Sequence, residues 1–218
     1  MNNLKLTTLL CSKICHDLIT PVGAISTGLE FVLGRHVTQD SELSHLLSES
    51  ANIAAQRLVL FRCVYGSTNP TALSTWDKTF RIMADFTNAH QGQFSHSPCE
   101  DFPTHNTIPW AQVLLGVMYL VSGTCQGPFH LTVKYDTYED RLVMSLKGST
   151  GGLKSQTIQF LENRAPEEEI SSQNILEYLT GLHALNNNLA LNLSQGPGEF
   201  ICYLQDARTA KQSMPSLF

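Results

Sequence analysis

Ser12-Lys13-Ile14-Cys15-His16-Asp17-Leu18-Ile19-Thr20-Pro21 stands near the start of a long helical pattern. Around it, apolar or small uncharged residues recur at Leu4, Thr7, Cys11, Ile14, Leu18, Val22, Ile25, Leu29 and Val32. That spacing predicts a helix whose apolar seam meets other helices. His16 lies two residues from both Ile14 and Leu18, so at about 100° per residue it points away from the seam. Its own face continues through Ser12, Thr20, Gly23 and Thr27, all small. A histidine above such a strip leaves room for another protein's backbone.

An exposed helical histidine is by itself ordinary, and three companions give this one its interest. Asp17 can accept a hydrogen bond from the imidazole Nδ1–H, which leaves Nε2 as the nucleophilic nitrogen. Pro21 removes a backbone donor inside the helix and costs about 3 kcal/mol or kinks it. Thr20 places a hydroxyl about one turn beyond the imidazole.

His16-Asp17-Leu18-Ile19-Thr20-Pro21 resembles the H-box of two-component histidine kinases. The longer string from Leu10 to Ile25, followed by Gly28-Leu29-Glu30, is more similar to the ChpT-type histidine phosphotransferases of alphaproteobacteria. The resemblance is specific over roughly the first thirty-five residues and rests beyond them on element order and length. It implies a phosphorelay intermediate, with His16 as phosphoacceptor, Asp17 as its orienting carboxylate and Thr20 beside them. Ser12, Lys13, Gly23 and Thr27 would form the docking platform. The implied partners are receiver domains of a hybrid histidine kinase and of response regulators, which would bring the Mg²⁺; no cofactor of its own is implied.

The rest of the chain frames this reading. A length of 218 residues with 42% apolar side chains supports one large or two small globular domains. A net charge of −5 argues against nucleic acid. No apolar run approaches the ~20 residues that span a bilayer, and no secretory signal opens the chain, so a cytoplasmic location is expected. The six cysteines form no C-x-x-C pair and read as small buried apolar residues in a reducing compartment.

A turn from Gly34 to Gln39 precedes a second helix, starting at Asp40 or Ser41, with a seam at Leu43, Leu47, Ala51, Ala54, Leu58, Phe61 and Tyr65. The two helices form an antiparallel hairpin, and two such hairpins would bury their seams as a four-helix bundle in a homodimer. Residues 67–71 read as a boundary, giving a dimerisation and phosphotransfer hairpin over 1–67 and an α/β domain over 68–218. Helices are expected over 73–88, 109–122, 154–163 and 172–186. Strands are expected over 93–96, 129–135, 141–146, 189–193 and 199–204. The fold class is therefore α+β, with a helical hairpin followed by a Bergerat-like, histidine-kinase ATPase-like sandwich.

Nucleotide chemistry is not expected in that sandwich. The helix that should supply a metal–phosphate asparagine has neither Asn nor an acidic residue between Pro109 and Thr124. Lys147-Gly148-Ser149-Thr150-Gly151-Gly152 lacks an adenine-binding Asp, and Gly196-Pro197-Gly198 suits a hairpin turn better than a phosphate loop. His90, His96, Cys99 and His105 match no common zinc spacing. An active histidine autokinase and a non-catalytic dimeric scaffold are the alternatives. The first needs the missing ATP boxes, and the second leaves His16, Asp17, Thr20 and Pro21 without a purpose.

Overall fold

The computed structural model describes residues 2–35, 41–66, 71–104 and 107–210. The centre of the turn before the second helix, the linker at 67–70, His105 and the residues after 210 lie outside these. Two long helices come first, α1 (Asn3–Arg35) and α2 (Ser41–Val64). They are followed by α3 (Trp76–Ala89), β1 (Gly92–His96), α4 (Thr107–Ser122), β2 (Cys125–Asp136) and β3 (Arg141–Thr150). α5 (Ser155–Leu161), α6 (Ile175–Asn186), β4 (Leu189–Gly196), β5 (Glu199–Asp206) and a last helical turn, α7 (Ala207–Ala210), complete the chain. The α+β expectation holds, with every expected helix and strand present at nearly the expected place.

The five strands run in the order β1-β2-β3-β5-β4, parallel only between β1 and β2. Side chains alternate across the sheet, as the two-residue period of a strand requires. Leu131, Val133, Leu142, Met144, Leu146, Phe200, Cys202 and Leu204 turn inward and are buried. His130, Thr132, Lys134, Ser145, Lys147 and Tyr203 line the opposite, open face. One sheet layer and one helical layer enclose the core.

α4 is buried on nearly all sides because it lies between the sheet and the other helices. Its Gly116 sits where a Cβ would come within 2.5 Å of Thr180 Oγ1, so glycine lets α4 and α6 approach. Gln112 of α4 donates to the carbonyls of Cys63 at 3.1 Å and Val64 at 3.4 Å. Those carbonyls belong to the last turn of α2, which lacks intrahelical donors.

The hairpin differs from the expectation in what covers it. Leu60, Phe61, Cys63 and Val64 of α2 belong to the same core cluster as the sheet and α4. Leu6, Leu9, Leu10, Ile14 and Leu18 of α1 pack against that cluster, whereas Thr7 and Cys11 of the expected seam are exposed. The physical reason is legible afterwards: Leu6, Leu10, Ile14 and Leu18 recur every four residues, and α6 offers them a covering surface. Cys11 and Cys15 flank this stripe and stand exposed, contrary to their reading as core residues, while Cys63 and Cys202 are buried. Beyond His16 the hairpin still shows apolar surface at Ile19, Val22, Leu29, Leu46 and Leu58, each 48–67% exposed. No helix among the described residues is long and apolar enough to cross a membrane.

Candidate functional site

The site begins with the backbone. Pro21 sits inside α1 and is buried. Without an N–H it cannot donate to the carbonyl four residues back, that of Asp17. Arg57, reaching across from α2, supplies the missing donor: its Nη1 lies 2.6 Å from Asp17 O. A helix that would lose a hydrogen bond instead gains one from its neighbour, and α1 runs unbroken from Asn3 to Arg35.

The side chain of Asp17 is held just as firmly. It is only 8% exposed. Lys13, one turn earlier, donates to Oδ1 at 2.8 Å. Tyr119 of α4 donates its hydroxyl to Oδ2 at 2.6 Å. His16 Nδ1 lies 3.1 Å from Oδ1. Burial pushes the carboxyl upward, but the hydrogen bonds from Lys13, Tyr119 and His16 outweigh it and hold Asp17 below the ordinary carboxylate value. The stability from this clamp is fully present above the unfolded-state value of about 3.9 and is lost as pH falls through the lower folded-state value. Burial and the carboxylate together push the Tyr119 hydroxyl well above the usual phenol range, so it stays a donor.

With Asp17 ionised, the proton shared with His16 belongs on Nδ1 and the lone pair of Nε2 faces outward. The imidazole itself is 81% exposed. Thus the carboxylate is buried and the imidazole is open, an arrangement that could attack a group carried by another macromolecule.

The remaining predicted residues divide. Ser12, Thr20, Gly23 and Thr27 are exposed along α1 with His16, and a Cβ built on Gly23 meets nothing within 4 Å. Lys13 is instead half-buried and engaged with Asp17, so it belongs to the clamp as much as to a platform. Gly28, five residues past Gly23, is a different case: a Cβ there would stand 2.5 Å from Leu47 Cδ2. Gly28 sets the approach of α1 to α2, and Gly23 leaves the outer surface clear.

This contrast makes a prediction. Gly23→Leu is expected to leave the melting temperature of the fold nearly unchanged while weakening a macromolecule that docks beside His16 by tenfold or so. Gly28→Leu is expected to lower the melting temperature clearly. Scanning calorimetry on both variants and a binding titration on the first check the pair.

Arg57 and Tyr119 were missed by the sequence reading. A buried carbonyl orphaned by Pro21 signals that a donor must come from elsewhere, and Arg57 is the cation of α2 placed to give it. Tyr119 carries a phenol within an otherwise apolar helix, and a buried hydroxyl needs a partner. Neither signal says which partner, because both contacts join residues remote in sequence.

A cleft of about 380 Å³ adjoins the clamp, lined among others by Lys13, Arg57, His90, Tyr119, Lys154 and Glu177. Burial raises Glu177 and lowers His90, so both charged forms are disfavoured there. His90 Nδ1 is 2.8 Å from Phe86 O and His96 Nδ1 is 2.7 Å from Ser97 O, while Cys99 Sγ donates to Asp77. Among the described residues no cluster of three or more metal-ligating side chains occurs.

No family model matches the chain. The protein phosphotransferase ChpT of Brucella abortus (strain 2308) is 25% identical over 197 residues, which are 88% of this chain and 91% of that protein. A solved structure of a bacterial phosphotransferase, refined at 1.7 Å, superposes on 94% of this chain and 98% of its own with a TM-score of 0.74. Its sequence identity is 22%, so that likeness speaks for the fold.

Proposed function

We infer that this chain, a ChpT-type histidine phosphotransferase, carries a phosphoryl group between the aspartates of receiver domains on Nε2 of His16. One observation carries the reading: an exposed imidazole whose Nδ1 rests on a buried, fully engaged carboxylate.

The step needs little from this protein beyond position and charge. Nε2 attacks the phosphorus of an aspartyl phosphate, the N–P bond forms, and the acyl O–P bond breaks to release the receiver's carboxylate. No proton has to leave during attack, because Nε2 is already bare. The imidazole ring becomes cationic, and Asp17 lies against Nδ1 to balance that charge. The second receiver reverses the step with its own carboxylate as nucleophile. Thr20 offers a hydroxyl near the incoming phosphoryl oxygens. Mg²⁺ comes with the receiver, since both oxygens of Asp17 are taken, Oδ1 by Lys13 and His16 and Oδ2 by Tyr119.

In this reading residues 1–67 form the dimerisation and phosphotransfer hairpin, and residues 68–218 an ATPase-like domain that holds no ATP. The receivers of a hybrid kinase and of response regulators dock on Ser12, Lys13, Gly23 and Thr27 around His16. The partner hairpin of a homodimer covers Ile19, Val22, Leu29, Leu46 and Leu58, whose exposure would otherwise be wasteful in water. Leu58→Lys is expected to convert dimer to monomer on sizing with light scattering, while a monomeric wild type at micromolar concentration would refute the bundle. The test of function is transfer itself. Wild-type protein mixed with a phosphorylated receiver should acquire acid-labile, base-stable phosphate, and failure to do so with any receiver of its own cell would overturn the reading.

A further inference from the structure

The clamp on Asp17 draws on three elements. Lys13 belongs to α1, Arg57 to α2 and Tyr119 to α4 of the α/β layer. Only the last comes from outside the hairpin, 102 residues away in sequence. Its hydroxyl lies 2.6 Å from Oδ2, the oxygen that neither Lys13 nor His16 contacts. The ring is fixed by packing against Phe61 of α2 at 5.1 Å and Phe86 of α3 at 6.0 Å between centroids. Gln112, seven residues earlier on α4, ties the same helix to the end of α2.

A carboxylate on a helix can rotate about its side-chain torsions. For Oδ1 to stay within reach of Nδ1, something must hold the other oxygen. A phenol on a rigid, buried helix does so, and its charge-assisted hydrogen bond also keeps the carboxylate from taking the imidazole's proton. We propose that Tyr119 is a positioning residue of the transfer site, fixing Asp17 so that His16 presents a bare Nε2, and that the α/β layer thereby completes a site the hairpin cannot form alone. This rests on His16 as the nucleophile.

The test uses the full-length protein carrying Tyr119→Phe, which keeps the ring contacts and loses only the hydroxyl. Single-turnover transfer from a phosphorylated receiver is expected to slow about tenfold, with receiver affinity unchanged. In an Asp17→Asn background the same substitution is expected to add almost nothing, because its effect passes through the carboxylate. Nitrogen NMR of His16 supplies a readout that packing alone would not move. The wild-type ring should hold its proton on Nδ1, and the variant should show a mixture of tautomers. An unchanged transfer rate, a loss that persists in full beside Asp17→Asn, or a wild-type His16 protonated on Nε2 would each overturn the proposal. The last needs no variant to fold. Failure of the underlying reading looks different: His16→Ala would still accept phosphate.

Discussion

His16→Ala is expected to reduce phosphoryl acceptance from a charged receiver to background while leaving the protein folded. The side chain is 81% exposed, so it contributes little packing, and surface substitutions of this kind change stability by about 0.5 kcal/mol or less. The loss of transfer should be complete because no neighbouring group can take over. Asp17 is buried and engaged, and Cys15, though exposed, lacks a base within reach of its thiol among the described hydrogen bonds. Unchanged thermal unfolding with no phosphate on the variant is the expected pair of results. Acid-labile, base-stable phosphate on His16→Ala would place the nucleophile elsewhere.

The second large effect concerns the backbone beneath the site. Arg57→Met keeps the apolar stem and removes the donor to the Asp17 carbonyl. A buried acceptor left unpaired costs about 1–3 kcal/mol. At about 2–4 °C per kcal/mol for a chain of this size, the melting temperature should fall by roughly 5 °C. The rate of transfer should fall as well, since the carbonyl and carboxylate belong to the same residue. Pro21→Ala supplies the control: alanine restores an N–H four residues after Asp17, so the carbonyl regains an intrahelical partner. In that background Arg57→Met should cost markedly less. Equal costs with and without Pro21 would mean that Arg57 acts through some other contact.

Much of this molecule could be read from one chain. Period-3.6 and period-2 patterns located the helices and strands because burial on one face leaves its mark in local spacing. The exposure of His16 followed from the same geometry, two residues from Ile14 and two from Leu18. What the pattern could not give was which of two overlapping stripes on α1 would be covered. Leu4–Thr7–Cys11 and Leu6–Leu10–Ile14 are both plausible seams, and the choice depends on α6, some 160 residues later. The same limit hid Arg57 and Tyr119. Pro21 announces an unmet carbonyl, and Tyr119 announces a hydroxyl in an apolar helix, but a partner remote in sequence becomes visible only when the chain is folded. Lys13 was placed on the docking platform by the resemblance alone, whereas its one-turn spacing to Asp17 lets it hold that carboxylate.

The embedding of the last turns of α2 beneath α4, with the phenol of Tyr119 reaching back to α1, has a consequence for traffic through the proposed relay. The imidazole is mounted on a helix tied to two others. In the proposed relay each receiver would meet the same nitrogen beside the same carboxylate, whether it arrived loaded or empty. One carboxylate held by one phenol would then serve both directions, so substitutions at Asp17 or Tyr119 should slow loading and unloading in parallel. The direction of net flow would then be set by the relative group-transfer potentials of the two aspartyl phosphates and by their concentrations. In that reading the protein would act as a conductor between two reservoirs, the level in each deciding which way the current runs.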